Sequence, residues 1–333
     1  MEGKIIKDPY SYIVSWAEDR YPYTGGRVFS YSSLLPISLF LPHIIHKGKL
    51  VRPQISVLVL APSGCAKTDM TNDIKKICYK PYNFTHNTGA RIERDFKTMD
   101  VATIIINDLS RILKDKEMIK VLESLIEEGQ IERKTANYTY DKEGIKCCAY
   151  MSGVPQDLTS YITSGLIFRV IPIYISHDLN EQEEIGKDII QNLEVEGVDG
   201  TSLKNIIDYY RTLYGIMSGK STKYKPVVKI KISEEQRIKI YKNWVRMLEK
   251  LEIENNTNWF RELYDGIRMA CSLGLLNYFN RKKYKSENGV ILELEDSDIN
   301  IASKLMVNEI NVKFKIIMLE AIKKKLMVAK ELG

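Results

Sequence analysis

The stretch ISVLVLAPSGCAKTDM, residues 55–70, most constrains what this 333-residue chain can fold into. Its apolar, β-branched beginning is typical of a buried strand, and the run KTDMTNDIKKICY after the loop has the spacing of a helix. The loop is similar to the phosphate-binding pattern of Gly, four residues, Gly, Lys and Ser or Thr. Lys67 and Thr68 stand in their positions, but Ala61 and Ala66 occupy both glycine positions. Strand, loop and helix in this order predict an α/β fold.

The loop predicts a nucleotide site in which the backbone does most of the binding. Successive N–H groups and the helix N-terminus would face the phosphates, Lys67 would neutralise the outer ones, and Thr68 would offer its hydroxyl to Mg²⁺. Alanine in a left-handed position costs about 1 kcal/mol, so two alanines weaken this prediction without removing it. An unrelated strand–loop–helix stays the alternative. The predicted nucleotide-binding residues are Ala61, Pro62, Ser63, Gly64, Cys65, Ala66, Lys67 and Thr68.

A second buried strand, VATIIIND, ends in two polar residues that would complete such a site. Asp108 would polarise the attacking water and contribute to Mg²⁺ binding. Asn107 would hold a metal-bound water without supplying charge, which weakens Mg²⁺ binding. The simpler interpretation is a strand that ends in an ordinary polar turn.

The rest of the chain alternates strands and helices as far as residue 177 and is helical from about residue 202. QIERKTANYTY and IKCCAYMSG, separated by the turn DKEG, are interpreted as a β-hairpin, and LIFRVIPIYIS as a further strand. This alternation predicts an α/β sandwich with a mainly parallel sheet, followed by an all-α lid domain. The predicted units are an N-terminal helical extension (1–50), an α/β ATPase core (51–180), and an acidic linker with the helical lid (181–333).

Composition narrows the class of protein only slightly. A net charge of +6 permits nucleic acid as a partner without demanding it. The most apolar early run, SSLLPISLFLPHIIH, is interrupted by prolines and is too short to span a bilayer, and the first residues lack the layout of a signal peptide. The five cysteines form no Cys-x-x-Cys pair, so we expect reduced thiols and no structural zinc in a cytoplasmic protein.

Three parts of the chain in order, the loop among them, resemble the motor of the minichromosome maintenance (MCM) helicases, a family of AAA+ ATPases. IIINDLSRIL and then LESLIEEGQIERKTA are similar to that family's acidic strand end, Glu-rich helix end and DNA-contacting hairpin. RELYDGIRMACSLG is similar to the lid helix, and LEDSDINIASKLM to the helix that closes the motor. MCM proteins also carry Ala before the catalytic Lys, so Ala66 agrees with the family and Ala61 departs from it. The resemblance covers about residues 33–310, and we expect neither the MCM zinc module nor a winged helix.

The resemblance implies roles for further residues. Arg261 matches the lid arginine that senses the γ-phosphate, although a surface ion pair is the alternative. Ser152 stands where the family has the Asn that orients attacking water. Arg169 matches the arginine finger, which reaches into a neighbouring subunit and stabilises the transferring charge. An alignment centred on Gly165 competes for this match.

The resemblance also implies a homo-oligomer, in the family a hexameric ring, with single-stranded DNA in its central channel. The predicted hairpin would point into that channel, where Lys134, Lys142 and Lys146 would contact phosphates, with Tyr138 and Tyr140 available to bases. The leading hypothesis is an ATP- and Mg²⁺-dependent DNA helicase or translocase in replication of a small genome or mobile element, encoded by a virus or plasmid. A nucleotide-switched scaffold or loader with weak ATPase activity, and a remodeller of protein partners, are the alternatives.

Overall fold

The structure is a computed structural model, and its described residues exclude several short segments. Only the backbone is described for residues 132–135, 138–140, 201 and 324–331. The described residues are 5–84, 87–135, 138–177, 181–184, 187, 201–253 and 259–331.

Helices and strands alternate through the first half of the chain, and helices are longer in the second half. The helices are α1 (Pro9–Arg20), α2 (Gly25–Ser32), α3 (Leu35–Ser38), α4 (Lys67–Ile77), α5 (Gly89–Phe96), α6 (Lys116–Glu127), α7 (Leu158–Thr163), α8 (Thr201–Met217), α9 (Glu234–Lys250), α10 (Phe260–Leu276) and α11 (Asp296–Glu331). The strands are β1 (Ile44–His46), β2 (Lys49–Val51), β3 (Val57–Leu60), β4 (Pro81–Asn83), β5 (Val101–Ile106), β6 (Ile131–Thr135), β7 (Tyr138–Lys142), β8 (Lys146–Gly153), β9 (Ile171–Tyr174), β10 (Val227–Lys231), β11 (Lys283–Ser286) and β12 (Gly289–Glu293).

A five-stranded parallel sheet in the order β4–β5–β8–β3–β9 forms the centre of the α/β part. All four residues of β3 are buried, and alternate residues face opposite sides because side chains alternate along a strand. Val57 and Val59 join one apolar cluster, whereas Leu58 and Leu60 join a second cluster on the other face. A sheet with both faces covered explains why the strands are continuous apolar runs. The prediction of an α/β fold with a mainly parallel sheet is confirmed.

The predicted β-hairpin is wrong in its second arm. The antiparallel hairpin joins β6 to β7, with Thr135 opposite Tyr138, so its turn precedes the predicted DKEG turn. The segment IKCCAYMSG instead supplies β8, which lies between β3 and β5 in the parallel sheet. Cys147 and Cys148 are fully buried there, as the apolar sequence indicated. A continuous apolar run suits a central strand, but the run itself does not identify its partner strands.

The expectation of an all-α lid is also wrong for the described residues after 200. A three-stranded sheet in the order β10–β12–β11 accompanies α8 to α11. The sequence contained a signal for it, because Glu287 and Asn288 form a two-residue turn with Ser286 paired to Gly289.

The N-terminal helices pack against the C-terminal part of the chain. The Tyr31 hydroxyl donates a 2.9 Å hydrogen bond to the carbonyl of Leu305, and the Tyr210 hydroxyl donates to the carbonyl of Ser33. Residues of α1–α3 and of α8–α11 share one apolar cluster. Within the described ranges, no helix combines the length and apolar character needed to cross a bilayer.

Candidate nucleotide-binding site

The loop between β3 and α4 has the backbone geometry of an anion cradle. Within the described residues, the backbone N–H groups of residues 63–69 have no protein acceptor. Gly64 has φ of +88° and Ala66 has φ of +48°, so the left-handed alanine is Ala66, directly before α4. Ala61 does not have a positive φ; it is fully buried, and its N–H donates to the carbonyl of Gly153. The expected strain at Ala61 is therefore absent, because this residue directly follows β3 and still bonds to the neighbouring strand β8.

Lys67 is the first residue of α4, and its side chain folds back over the loop. Its Nζ donates to the carbonyl oxygens of Ala61 and Gly153, the latter at 3.3 Å. Burial lowers the pKa of Lys67, against opposing contributions from Cys65 and Asp108. Thr68 is exposed in the first helical turn. The ammonium is thus held by two neutral carbonyls, one directly after β3 and one at the end of β8, and an anion would be a stronger partner for it.

The carboxyl ends of β5 and β8 bring the other predicted residues to the same edge of the sheet. Asn107 is exposed, and its carbonyl accepts a hydrogen bond from the hydroxyl of the buried Ser152. One Asp108 oxygen accepts from the N–H of Ser110 at 3.1 Å and from its hydroxyl, and the carboxylate pairs with Arg111 at 3.4 Å. Asp108 thus caps a short 3-10 turn, and Ser152 ties two strand ends together.

A cavity of about 470 Å³ opens beside the loop and was not predicted from the sequence. One side is formed by the loop residues Pro62 to Ala66 and the other by the segment that joins α1 to α2. Tyr23 lies in that segment with φ of +66° and is 42% exposed, and His177 follows β9. The volume and the aromatic lining of this cavity suit a nucleobase next to the loop. The sequence offers only a weak signal for this cavity, because the Tyr-Pro-Tyr segment at residues 21–23 has no fixed spacing from the loop. The cavity lining comprises Arg20, Tyr21, Pro22, Tyr23, Thr24, Pro62, Ser63, Gly64, Cys65, Ala66, His177 and Gln182.

Arg169 and Arg261 meet at the opposite edge of the sheet. Arg169 precedes β9, whose first residue pairs with the first residue of β3, so it lies at the amino ends of the strands. Arg169 Nε lies 2.7 Å from Glu127 Oε2, and Arg261 Nη1 lies 2.8 Å from Glu127 Oε1. Arg261 also donates to the carbonyl of Arg169. One glutamate therefore holds both predicted arginines together, and β9 alone puts about 13 Å between this edge and the loop edge.

Two further arginines surround the same position. Arg268 lies on α10 with Arg261, donates to the carbonyl of Arg52 and pairs with Asp265. Arg52 donates to the carbonyl of Ile145 at 2.7 Å. A cavity of about 280 Å³ is lined by these groups together with Glu127 and Arg169. Nothing in the sequence pattern predicts that Arg52 belongs to this cluster.

The three lysines predicted to contact DNA lie on three different strands, β6, β7 and β8. Lys146 begins β8 in the central sheet, so its predicted location on the hairpin is wrong. Lys142 turns back onto the end of α5, where its Nζ lies 2.7 Å from Asp100 Oδ1 and donates to the carbonyls of Phe96 and Lys97. The side chains of Lys134, Tyr138 and Tyr140 lie outside the described residues, and contact of Lys134 with DNA stays a prediction.

Neither models of known protein families nor curated proteins match this chain. Among the described residues, no group of three or more His, Cys, Asp or Glu side chains could hold a metal ion by itself. The five cysteines are all buried and free. The chain has an α/β fold with a loop of N–H groups that lack a protein acceptor at one edge of its sheet and an arginine cluster at the other.

Proposed function

We propose that this protein binds ATP with Mg²⁺ at the β3–α4 loop and hydrolyses it as an oligomeric AAA+ motor similar to that of the MCM helicases. The observation that carries the proposal is the loop itself. Its N–H groups have no protein acceptor, its lysine lies over the cradle, and Asp108 stands close enough to influence the Lys67 ammonium. A backbone cradle with one cation suits the phosphates of a nucleotide.

The proposed active site is shared between two copies of the chain. One copy contributes Lys67 and Asp108, and its neighbour contributes Arg169 and Arg261. The support for this division is that the arginines and the loop lie at opposite edges of one parallel sheet. A guanidinium that arrives from the neighbour would stabilise the negative charge that develops during phosphoryl transfer. In a closed ring, which the resemblance implies to be hexameric, every loop would meet the arginines of a neighbouring copy.

The side chains at the loop edge fit Mg²⁺ that arrives with the nucleotide. Mg²⁺ commonly takes one or two carboxylates together with substrate phosphates and waters, so a complete protein cage is not required. The Thr68 hydroxyl, the Asn107 amide and the Asp108 carboxylate would be its protein ligands. When bound, the ion would neutralise phosphate charge, while Ser152 keeps the ends of β5 and β8 in register through its bond to Asn107.

Single-stranded DNA is the proposed substrate of the motor, in replication of a small genome or mobile element. The support is the resemblance in three ordered segments and the net charge of +6. The hairpin β6–β7 would face the channel of the ring.

A nucleotide-switched scaffold with slow turnover is the second candidate function. The observation that favours it is the state of the residues at the strand ends. The Asp108 carboxylate already accepts from Ser110 and pairs with Arg111, and Asn107 has no charge to offer. Such a site would bind ATP well and activate water poorly.

ATP affinity of a Lys67→Ala variant tests the nucleotide site. Loss of a charge-assisted contact should weaken binding of a fluorescent ATP analogue by roughly 10- to 100-fold. Lys75→Ala is the matched control, since Lys75 is exposed on the same helix. Equal affinity of the folded Lys67→Ala protein and the control would remove the loop from the proposal.

Mixing two inactive variants tests the shared site. Arg169→Ala and Asp108→Ala proteins should each be inactive, but random mixing in equal amounts restores an intact pair at about a quarter of the interfaces. Steady-state ATPase activity is the readout, measured with and without single-stranded DNA. Absence of recovery in mixed oligomers argues against sharing, and negligible wild-type turnover under both conditions favours the scaffold.

A further inference from the structure

The three-stranded sheet β10–β12–β11 has one face against the core and one face exposed. Leu292 is fully buried and Val227 nearly so, and both belong to the apolar cluster shared with α10 and α11. The opposite face carries Lys229 and Lys231 from β10 and Tyr284 from β11. The sheet therefore presents a second surface that packing of the core does not use.

We define the basic sheet face as Lys229, Lys231, Lys282 and Tyr284. Lys282 belongs to it because it precedes Tyr284 by two residues and so projects to the same side. The side chains of Lys231 and Lys282 are 57% and 70% exposed, and Tyr284 is 37% exposed. The two ammonium groups lie 5.8 and 5.1 Å from the centre of the Tyr284 ring. An exposed aromatic ring thus lies beside two exposed ammonium groups, which also lie 3.4 and 3.8 Å from the Glu293 carboxylate.

Two neighbouring charged residues, Lys283 and Glu293, differ from the residues of the basic sheet face in their roles. Lys283 turns to the inner side, where its Nζ donates to the carbonyls of Tyr278 and Arg281, so it serves the fold. Glu293 is the one carboxylate within the three strands, and it accepts a 2.6 Å hydrogen bond from the Tyr284 hydroxyl. That bond fixes the orientation of the ring while leaving the charge of the face positive.

We propose that the basic sheet face binds single-stranded nucleic acid. Ammonium groups contact phosphates without regard to sequence, and an exposed tyrosine stacks on an unpaired base. A duplex would offer the phosphates but not the face of a base, and an acidic protein would offer only the charge. The site needs neither the ATP loop nor its ligand, so it goes beyond the proposed function.

Binding of a short fluorescent oligothymidylate to the full chain, without nucleotide, tests this site. Lys229→Gln, Lys231→Gln and Lys282→Gln combined should lower the slope of log affinity against log salt by about 2, since each phosphate contact on a single strand contributes about 0.7. Tyr284→Ala should weaken affinity about tenfold through lost stacking, whereas Tyr284→Phe should retain it. Glu293→Gln should tighten binding, because it removes the opposing charge.

The control for charge is Lys114→Gln, Lys116→Gln and Lys120→Gln combined, three exposed lysines on and beside α6. The thermal unfolding midpoint of each variant establishes that it is folded. The proposal is overturned if the triple lysine control loses as much affinity for the oligothymidylate as the triple sheet variant. It is overturned as well if Tyr284→Phe and Tyr284→Ala lower that affinity equally. It is also overturned if duplex DNA binds as tightly as the single strand. The Lys67→Ala protein should bind oligothymidylate normally, which keeps this test separate from that of the ATP site.

Discussion

Replacing Glu127 by Gln should destabilise the protein by about 2 kcal/mol, because this one carboxylate holds Arg169 and Arg261 together. Two unit charges about 4 Å apart attract by about 4 kcal/mol at an effective dielectric constant near 20. The three side chains are 29%, 27% and 35% exposed, so desolvation, lost side-chain freedom and screening leave about 1 kcal/mol for each of the two contacts. Gln keeps the shape and one hydrogen bond but removes the charge. Urea unfolding at neutral pH measures the difference.

The same contact should depend on pH in a defined direction. Burial alone would raise the pKa of Glu127, but the hydrogen bond from Arg169 and the charge of Arg261 outweigh it and hold that pKa below the ordinary 4.5. A lowered carboxylate pKa stabilises the fold above the unfolded value and loses that effect as the pH falls. The difference in unfolding free energy between wild type and Glu127→Gln should therefore be largest at neutral pH and should disappear as the pH falls below 4.5.

Glu128→Gln is the matched control, since Glu128 is exposed, is the next residue and carries the same charge. It should cost well under 1 kcal/mol. The reasoning is refuted if the two variants unfold at the same urea concentration, or if the effect of Glu127→Gln is unchanged between neutral pH and pH 3.

Three other perturbations test the geometry. Ala66→Gly should raise the unfolding free energy by up to about 1 kcal/mol, because it relieves a left-handed alanine. Ala61→Gly should lower it by a similar amount, because a fully buried methyl group is lost. Urea midpoints that move in the same direction for both variants would contradict this. Gly25→Ala should lower the unfolding free energy by at least about 2 kcal/mol, since the added Cβ would lie 1.8 Å from a carbonyl oxygen of α1. The added Cβ of Gly215→Ala meets nothing within 4 Å, so this variant should stabilise α8 by about 0.5–1 kcal/mol in thermal unfolding. Lys313→Met should cost about 3–5 kcal/mol because it leaves two buried carboxylates without their cation, and acidification should reduce that loss of unfolding free energy.

The strands and helices that depend on local pattern could be predicted from the sequence. The apolar runs before the loop and before Asn107 became β3 and β5, and the runs with a helical pattern became α4, α6 and α9 to α11. The same information did not identify the partners of β8, since its apolar run would satisfy a hairpin or a central strand equally well. Pairing with β3 and β5 is set by contacts that are distant along the chain.

The candidate site divides in the same way. Lys67 and Thr68 follow from spacing, because loop and helix are contiguous in sequence. Glu127 could not be recognised as the partner of two arginines 42 and 134 positions away, since only the fold brings them together. The spacing predicts a left-handed conformation at both alanines, and only the backbone geometry shows that Ala66 adopts it while Ala61, directly after β3, does not.

The separation of the loop and the arginines to opposite edges of the sheet gives the proposed assembly a countable property. Contacts between unlike surfaces join head to tail, so a dimer contains one complete site for its two loops, and each added copy adds one more. Closing the ring completes the last loop without adding any protein. Turnover per copy should thus rise gradually as open assemblies lengthen and then step upward when the ring closes, which makes ATPase activity a direct report of closure.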